Sequence, residues 1–351
     1  KKLNQKNKFN FLITTTTLSA SNLFSKELLN EKNITHRFFP IDKPSLVKEF
    51  LEKWSPQLIV FVDSEIWPNF ILEIKKRNIP LILLNGRITK KTFLRWNFIY
   101  KTAYEVFQNF DLCLASSEQS KKYLEKLQVK NIKYIGNLKL TSENNFQDLP
   151  KQNIDVLIKN KCWCAVSTHK GEEIFSIKAH INLKKIYSRI ITIIIPRHIN
   201  RVFEIESLCK KFGLNTQILN YGDFINDQSE IILINSYGEV PKYLKYCNSV
   251  FIGKSMIKKL KTTGGQNPIE AAKLGCKIYH GPYVYNFNEI YSLLKDYNIA
   301  EVIKNEEELA KKLSLSFDSL EKKNNLTFQT INEIGDKILA QNIEQIKKLD
   351  D

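Results

Sequence analysis

The sequence predicts an α/β fold composed of two Rossmann-like, doubly wound domains. Short apolar runs alternate along the chain with longer stretches in which apolar residues recur at helical spacing. This alternation is typical of successive strand–helix units, which assemble into mostly parallel sheets covered by helices on both faces. The alternation stops at 141–153, where turn-forming residues and a proline indicate a linker between two domains.

In the first half, the apolar runs predict one doubly wound domain. The strands are predicted at 9–14, 58–62, 81–85, 112–115 and 132–135, and the helices near 43–53, 66–77, 89–108 and 117–127. In the second half, the strands are predicted at 162–167, 190–195, 231–234, 250–252 and 277–279, and the helices near 171–185, 200–211, 239–247 and 267–274.

The last helical stretch is polar and rich in Lys and Glu, so it is predicted to lie on the surface. The predicted domains are therefore 1–145, 146–330 and a C-terminal surface helix at 331–351. Ligands of open α/β sheets bind beyond the carboxyl ends of the strands. We therefore expect the chemistry in a cleft that the two domains face.

The net charge of +16 implies an anionic partner: a phosphorylated substrate, a nucleotide, a nucleic acid or an acidic membrane face. The chain is also crowded with Lys, Asn and Ile, so compositional drift is an alternative source of the charge. A content of 43% hydrophobic and 26% charged residues excludes a chain that is disordered by composition.

The cysteines and histidines predict neither a metal site nor a disulfide framework. The six Cys contain no C-x-x-C pair, and the five His show no ligand spacing. No D-x-D occurs, which argues against a transferase that holds a diphosphate through a metal. No window approaches the ~18 apolar residues of a spanning helix. The chain begins Lys1-Lys2 rather than with Met, so we expect that an upstream segment is missing.

Two stretches of the second half place polar groups where a phosphate binds. Ser167 and Thr168 end a strand and lead through Lys170 into a helix, whose first N–H groups suit an anion. Pro196-Arg197 ends the most apolar strand, which puts a guanidinium at its carboxyl end. The alternatives are an ordinary helix start with dipole-complementing Glu residues and a surface arginine.

The strongest candidate is the stretch that contains Gly264, Gly265 and Glu270. The glycine pair gives a backbone of unusual freedom, and Glu270 in the first helical turn can accept hydrogen bonds from two ribose hydroxyls. A plain glycine-rich connection is the alternative. Gly238-Glu239 opens another helix after a strand and forms a similar unit of low specificity.

In the first half, Asp63 and Glu65 directly follow a strand. Carboxylates at a strand's carboxyl end face the ligand side of the sheet, and Trp67-Pro68 forms a rigid start to the next helix. The alternative makes Asp63 or Glu65 a helix cap and places Trp67 in the core.

Together these motifs resemble the bacterial 3-deoxy-D-manno-octulosonic acid (Kdo) transferase family. The resemblance covers nearly the whole chain and rests on ordered motifs, namely D-S-E-I-W-P-N (63–69), L-N-G-R-I (84–88), G-N-L-K (136–139), S-T-H-K-G-E-E (167–173), P-R-H (196–198), Y-G-E (237–239), G-G-Q-N-P-I-E-A-A (264–272) and H-G-P-Y-V-Y-N-F (280–287). It implies a GT-B glycosyltransferase that transfers Kdo from CMP-Kdo to the lipid A precursor (lipid IVA), with inversion and without a metal or other cofactor.

The resemblance also implies site residues. Glu65 and Lys139 are the charge-stabilising catalytic residues near the reacting centre, on the acceptor side. The donor-binding residues are Pro196, Arg197, Tyr237, Gly238, Glu239, Asn267, Pro268, Ile269 and Glu270. Further possible donor contacts are Ser167, Thr168, Gly264 and Gly265.

The implied location is the cytoplasmic side of the inner membrane, with the protein either peripheral or anchored by its N-terminus and with no nucleic-acid partner. A basic and aromatic helix is predicted to meet the anionic membrane surface. Alternatively, its aromatic residues pack in the core and its basic residues face solvent on the opposite side. The residues of this helix are Lys90, Lys91, Phe93, Arg95, Trp96 and Phe98.

The family's general base is a Glu in an upstream Gly-Glu turn, which this chain does not contain. The chain alone is therefore expected to bind the donor and to be inactive as a transferase. The alternatives are another GT-B nucleotide-sugar transferase and a truncated, non-catalytic remnant that binds CMP or lipid.

Overall fold

The computed structural model describes residues 9–28, 31–141, 147–318 and 325–349. The chain divides into two compact units: unit 1 comprises Lys1–Leu138 and Lys337–Asp351, and unit 2 comprises Lys139–Asp336. The domain boundary predicted at 145/146 lies outside the described residues and stays a prediction.

Unit 1 contains parallel strands separated by helices. The strands are β1 (Phe11–Thr15), β2 (Ile34–Phe38), β3 (Ile59–Val62), β4 (Leu81–Gly86), β5 (Leu112–Ala115) and β6 (Ile132–Tyr134). The helices are α1 (Leu18–Leu28), α2 (Pro44–Trp54), α3 (Pro68–Lys76), α4 (Lys90–Phe98), α5 (Tyr100–Phe107) and α6 (Glu118–Lys126). A short 3₁₀ helix, Leu138–Thr141, follows.

The strands of unit 1 form two sheets rather than the single sheet that the sequence predicts. β1 pairs with β2, and β3, β4, β5 and β6 pair in chain order. The central strands are the most apolar, so β4 and β5 are almost entirely buried under Phe70, Ile71 and Phe107. On β3, Val60 and Val62 remain exposed.

Unit 2 contains one seven-stranded parallel sheet. Its strands are β7 (Lys161–Thr168), β8 (Ile190–Pro196), β9 (Thr216–Leu219), β10 (Ile231–Ile234), β11 (Ser249–Ile252), β12 (Lys277–His280) and β13 (Ala300–Val302). Its helices are α7 (Lys151–Lys159), α8 (Glu172–Lys184), α9 (Val202–Lys211), α10 (Val240–Leu244), α11 (Ile269–Lys273), α12 (Asn288–Asp296) and α13 (Glu306–Asp318).

The strand order of unit 2 is β13-β12-β11-β7-β8-β10-β9, which confirms a doubly wound sheet. The chain starts at the central β7, builds β8 to β10 on one side, and then crosses to build β11 to β13 on the other. The reversal falls at the carboxyl ends of β7 and β11, where open α/β sheets bind ligands.

The last helix, α14 (Asn325–Lys347), crosses the division between the two units. Its outer face is exposed, whereas Ile331, Ile338 and Ile346 are buried. In unit 1, Ile346 packs on β4 and β5, and Ile338 fills the space above Gly136, where a β-carbon would lie 2.5 Å from it.

All six cysteines are buried as free thiols. Cys164 and Cys247 bring their sulfurs to 3.3 Å, and burial raises the pKa of Cys209 to about 11. Within the described parts of the chain, no three His, Cys, Asp or Glu side chains are grouped to hold a metal ion. Among the same residues, no helix has the length and apolar character needed to cross a bilayer.

The buried Glu172 joins the two loops that follow β7 and β11. Its carboxylate is 1% exposed and accepts four backbone hydrogen bonds, from His169 at 2.9 Å, Lys254 at 2.6 Å, Ser255 at 2.8 Å and Met256 at 2.9 Å. Several donors offset the loss of hydration that a buried carboxylate suffers. Glu172 therefore fixes the position of one loop against the other.

We expect Glu172→Ala to lower the free energy of unfolding by about 3–5 kcal/mol, because four buried N–H groups lose their acceptor. Glu172→Gln should cost about 2–4 kcal/mol, since its amide nitrogen faces backbone donors. Urea denaturation measures both values. Glu206→Gln is the control: this carboxylate pairs with Lys210 on the surface of α9, and its loss should change stability by about 0.5 kcal/mol or less. Equal effects of the three variants would contradict the role of Glu172.

Candidate functional site

A pocket of about 280 Å³ lies in unit 2 at the carboxyl ends of β7 and β11. This is the place where the strand order reverses, as the doubly wound sheet predicts. The walls combine an apolar floor with polar groups from the start of α11. The lining residues are Lys139, Val166, Ser167, Val240, Leu244, Ile252, Gln266, Asn267, Ile269, Glu270 and Ala271.

Glu270 is the acidic group of the pocket. It is half-buried in the first turn of α11, and its carboxylate makes no hydrogen bond or ion pair within the described part of the chain. Burial raises the pKa of Glu270 above its usual range, because the charged form loses hydration without gaining a donor. A ligand with hydroxyl groups would supply the missing donors.

Asn267 and Lys139 complete the polar part of the lining. The Asn267 side chain accepts a hydrogen bond from the Ile269 N–H at 3.1 Å, which starts α11 at the pocket wall. Lys139 is half-buried in the 3₁₀ helix before α7. It belongs to unit 2, whereas the sequence places it in the first domain; the next residue, Leu140, is buried, with its carbonyl against Gly335.

The glycine pair has a packing role. A β-carbon on Gly264 would lie 2.3 Å from the Tyr283 carbonyl oxygen, and Gly265 adopts a φ of +89° while its N–H donates to Lys254 at 2.7 Å. Both glycines are buried and neither lines the pocket. Their freedom lets the loop pass under the chain at 283–284, so the glycine pair by itself does not indicate a ligand.

The turn after β7 contributes Ser167 to the pocket but buries Thr168. Ser167 has a φ of +53°, and its carbonyl lies 3.1 Å from the Nδ1 of His169. The Thr168 hydroxyl is fully buried without a partner among the described residues. Glu173, the second glutamate of the motif, is buried and pairs with the half-buried Arg201 at 2.7 Å.

The other predicted donor residues lie outside the lining. Pro196 is buried at the end of β8, and the exposed Arg197 makes no side-chain hydrogen bond or ion pair in the described part of the chain. Tyr237 is 68% exposed, and Gly238 adopts a φ of +81°. Glu239 is buried, and its carboxylate pairs with Lys242 at 2.9 Å.

In unit 1, the turns that follow β3 and β4 are joined side by side. Asp63 and Asn85 both adopt left-handed backbone conformations, with φ of +58° and +53°. The Asn85 amide donates to Asp63 at 2.5 Å, while its oxygen accepts from the Leu138 N–H at 3.1 Å. One buried side chain thus links both strand ends to the residue before Lys139.

Glu65 sits in the same turn, half-buried at the end of β3. Its carboxylate accepts a hydrogen bond of 2.6 Å from the indole N–H of Trp67. It does not cap α3: the first N–H groups of that helix, from Asn69 and Phe70, donate to Asp42. The cap that the sequence offers as an alternative role for Asp63 or Glu65 is therefore supplied by another residue.

Helix α4 has the predicted basic surface, but its aromatic residues differ in burial. Phe93 and Trp96 are half-buried and pack on Tyr123 and Phe107. Phe98 is 88% exposed. The exposed apolar side chains near the basic ones are Leu94, Phe98, Ile99, Tyr100 and Tyr104.

Comparison with known proteins identifies the family. The profile described as "3-Deoxy-D-manno-octulosonic-acid transferase (kdotransferase)" matches residues 1–142. The 3-deoxy-D-manno-octulosonic acid transferase of Rickettsia bellii is 30% identical over 312 residues, which cover 88% of this chain and 72% of the relative. The chain belongs to the Kdo transferase family. The transferase of Rickettsia typhi is also 30% identical, and the matched segment covers 85% of this chain and 63% of that relative's length.

The fold agrees with this family assignment. A glycosyltransferase from Rickettsia africae superimposes with a TM-score of 0.58 at 14% identity, covering 96% of this chain and 89% of the other. At that identity the likeness concerns the fold alone. It confirms the predicted GT-B architecture of two α/β domains.

Sequence reasoning missed several residues of this chain that matter for the two sites. Gln266 lines the pocket, and Val166, Ile252, Val240 and Leu244 form its apolar wall. Glu172 and Asn85 hold the loops in place. The ends of the predicted strands indicated Val166 and Ile252. Gln266, Glu172 and Asn85 stand inside the quoted motifs, but no local pattern marks their contacts. Nothing in the sequence marks Val240 and Leu244.

We expect Glu270→Gln to be more stable than the wild type at pH 7. The raised pKa means that the folded chain binds a proton more tightly than the unfolded chain. Glu270 therefore contributes stability below its unfolded pKa, which is lost as the pH rises through the folded value. The difference between the two proteins should vanish below about pH 4. Urea denaturation at several pH values measures it.

Glu230→Gln is the control, and its effect on stability should have the opposite sign. Burial acts to raise the pKa of Glu230, but hydrogen bonds from Lys184 and the Asn215 N–H lower it overall. This variant should be less stable than the wild type at pH 7, and the difference should disappear as the pH falls. A Glu270→Gln protein that is less stable than the wild type at pH 7 would contradict the inference that the half-buried Glu270 carboxylate has no partner.

Proposed function

We propose that this chain transfers Kdo from CMP-Kdo to the lipid A precursor in lipopolysaccharide biosynthesis. Membership of the Kdo transferase family supports the reaction. The observation that carries the proposal is the pocket of unit 2, where a half-buried, unpaired carboxylate and a lysine meet at the switch point of the sheet. A ribose phosphate offers the complementary groups, two vicinal hydroxyls and an anion.

In the proposed donor complex, Glu270 accepts hydrogen bonds from the ribose hydroxyls of CMP. This contact lowers the cost of the buried charge, because hydroxyl donors stabilise a carboxylate that otherwise has none. Lys139 neutralises the phosphate from the pocket wall, and Arg197 approaches it from the end of β8. Asn267, Pro268 and Ile269 shape the turn that carries Glu270. We infer a supporting role for Tyr237, Gly238 and Glu239 at the start of α10.

The proposed reaction is an inverting displacement. A carboxylate removes the proton from the attacking hydroxyl of the acceptor, the new glycosidic bond forms, and CMP departs with the electrons of the broken bond. Lys139 and Arg197 stabilise the charge that develops on the phosphate, so the proposal needs no metal or other cofactor. Glu65 stabilises positive charge near the reacting centre.

We also propose that unit 1 contacts the cytoplasmic face of the inner membrane, where the lipid acceptor resides. The α4 surface, defined by Lys90, Lys91, Leu94, Arg95 and Phe98, exposes apolar and basic side chains together. Helix α4 carries no acidic residue. Apolar side chains would enter the lipid while the cations meet anionic headgroups.

The donor site is tested by calorimetry with CMP. We expect Glu270→Ala to weaken CMP binding by about 1.5–3 kcal/mol, because the ribose loses a charged acceptor. Arg197→Ala should weaken it through loss of a cation. Arg189→Ala is the matched control, since Arg189 precedes the amino end of the same strand and pairs with Asp227. Unchanged CMP affinity in a folded Glu270→Ala protein would contradict the assignment, and tighter binding of UMP than of CMP would favour a different donor.

The reaction is tested with CMP-Kdo and lipid IVA in detergent, by following the Kdo-bearing lipid. CMP binding does not require proton transfer, so the binding test stands whatever the rate of turnover. Donor binding combined with transfer to an acceptor other than the lipid A precursor would overturn the proposed acceptor.

The membrane contact is tested by sedimentation with lipid vesicles. We expect binding to vesicles that contain phosphatidylglycerol, weakening with added salt because screening acts on exposed charges. Phe98→Ser should lower the vesicle affinity roughly tenfold, since one exposed ring no longer enters the lipid. Phe203→Ser is the control, because this ring is 65% exposed on α9 of unit 2. Vesicle binding that does not depend on salt or on lipid charge would contradict the assignment of this surface to the membrane. An equal loss of binding in the two variants would also contradict it.

A further inference from the structure

The Glu65 carboxylate is held by a single, short hydrogen bond. The indole Nε1–H of Trp67 donates to Glu65 Oε2 at 2.6 Å, while Oε1 has no hydrogen bond or ion pair among the described residues. Hydrogen bonds to an ionised acceptor are shorter and stronger than neutral ones. The bond therefore fixes the direction of the carboxylate and leaves one oxygen open to a ligand.

The ring that donates this bond is itself fixed. Trp67 is half-buried and lies against Phe39 with ring centroids 5.2 Å apart. Phe39 in turn packs on Phe70, at 4.6 Å, and on Phe61, at 6.2 Å. A chain of packed aromatic rings thus connects the indole to the core of unit 1.

The turn that carries Glu65 is also held independently of Trp67. The N–H and carbonyl oxygen of Asp63 bond to Leu84 and Arg87, and the Ser64 hydroxyl donates to the Arg87 carbonyl at 2.9 Å. Asp42 caps α3, so Glu65 is not needed to accept hydrogen bonds from the first N–H groups of this helix. Removing the indole N–H therefore frees the Glu65 side chain and leaves the backbone of the turn in place.

We propose that Trp67 is the positioning residue of Glu65. The inference rests on the proposed function, in which Glu65 stabilises charge near the reacting centre. The aromatic ring anchors the indole, and the N–H aims the carboxylate. Without the N–H, the carboxylate samples several rotamers, and a displacement of about 1 Å at a charge-stabilising group can cost up to ~10²-fold in rate.

The test uses Trp67→Phe, which retains an aromatic ring against Phe39 and deletes the donor. We expect kcat for Kdo transfer to fall roughly 10- to 100-fold. KM for CMP-Kdo and the CMP affinity should stay unchanged, because the donor pocket belongs to unit 2. A purely structural role would instead lower stability and leave kcat of the folded fraction intact. Wild-type kcat in Trp67→Phe would overturn the inference.

Trp54→Phe is the matched control. Trp54 lies in the same unit at the end of α2, packs near Phe50 at 6.4 Å, and makes no hydrogen bond through its indole in the described part of the chain. This variant also loses an indole and should keep the wild-type kcat. An equal fall in kcat for the two variants would overturn the inference, because it would reflect general loss of aromatic packing.

A spectroscopic readout separates this inference from the proposed function. The four tryptophans give four indole N–H signals in a nitrogen-15 spectrum, and Glu65→Gln should move the Trp67 signal upfield while the other three stay. An unmoved signal would overturn the inference whether or not Kdo is transferred. If the wild type transfers no Kdo while the signal moves, the proposed function fails and the hydrogen bond stands.

Discussion

The buried carboxylate of Glu172 is the interaction on which unit 2 depends. A charge removed from water is costly, and here four backbone N–H groups from two separate loops offset that cost. The same contact explains Gly253, where a β-carbon would lie 2.8 Å from Glu172 Oε2 and 2.6 Å from the Ser167 carbonyl. The loops after β7 and β11 can approach closely only because the side chain between them accepts from both.

The candidate pocket depends on this arrangement. Ser167 and Ile252, which line it, belong to the two strands whose following loops Glu172 joins. The loop at 254–256 then supports the glycine pair, since Gly265 donates to the Lys254 carbonyl. From there the chain runs directly to Asn267 and Glu270. The buried carboxylate of Glu172 and the unpaired carboxylate of Glu270 are thus connected through one short network.

The sequence predicted the architecture better than the details of the site. The buried parallel strands were found because burial on both faces gives nearly continuous apolar runs. The missed strands, β2, β9 and β13, all lie at sheet edges, where polar residues such as His36, Arg37 and Glu301 break the apolar run.

Within the candidate site, local chemistry indicates stretches of the chain, but the surroundings of individual residues depend on distant partners. Glu172 reads as an ordinary acidic residue of a first helical turn, and only the fold brings 254–256 to it. The sequence predicts Gly264 and Gly265 as donor contacts, whereas their close approach to the chain at 283–284 accounts for both glycines. Glu270 does line the pocket, and its position in the first turn of a helix is itself a local feature of the sequence.

The Asn85-Gly86 turn is a site where the protein can deamidate over time. An asparagine followed by glycine deamidates readily, because the glycine amide nitrogen meets little obstruction as it attacks the side-chain carbonyl. Neither residue is easily replaced: Asn85 holds a left-handed conformation with both ends of its amide engaged, and a β-carbon on Gly86 would lie 2.8 Å from Leu83. In the folded chain, those two hydrogen bonds restrict rotation of the Asn85 side-chain amide. Deamidation of Asn85 would place a second carboxylate beside Asp63. The rate at which unit 1 is damaged in this way therefore depends on how often the turn opens.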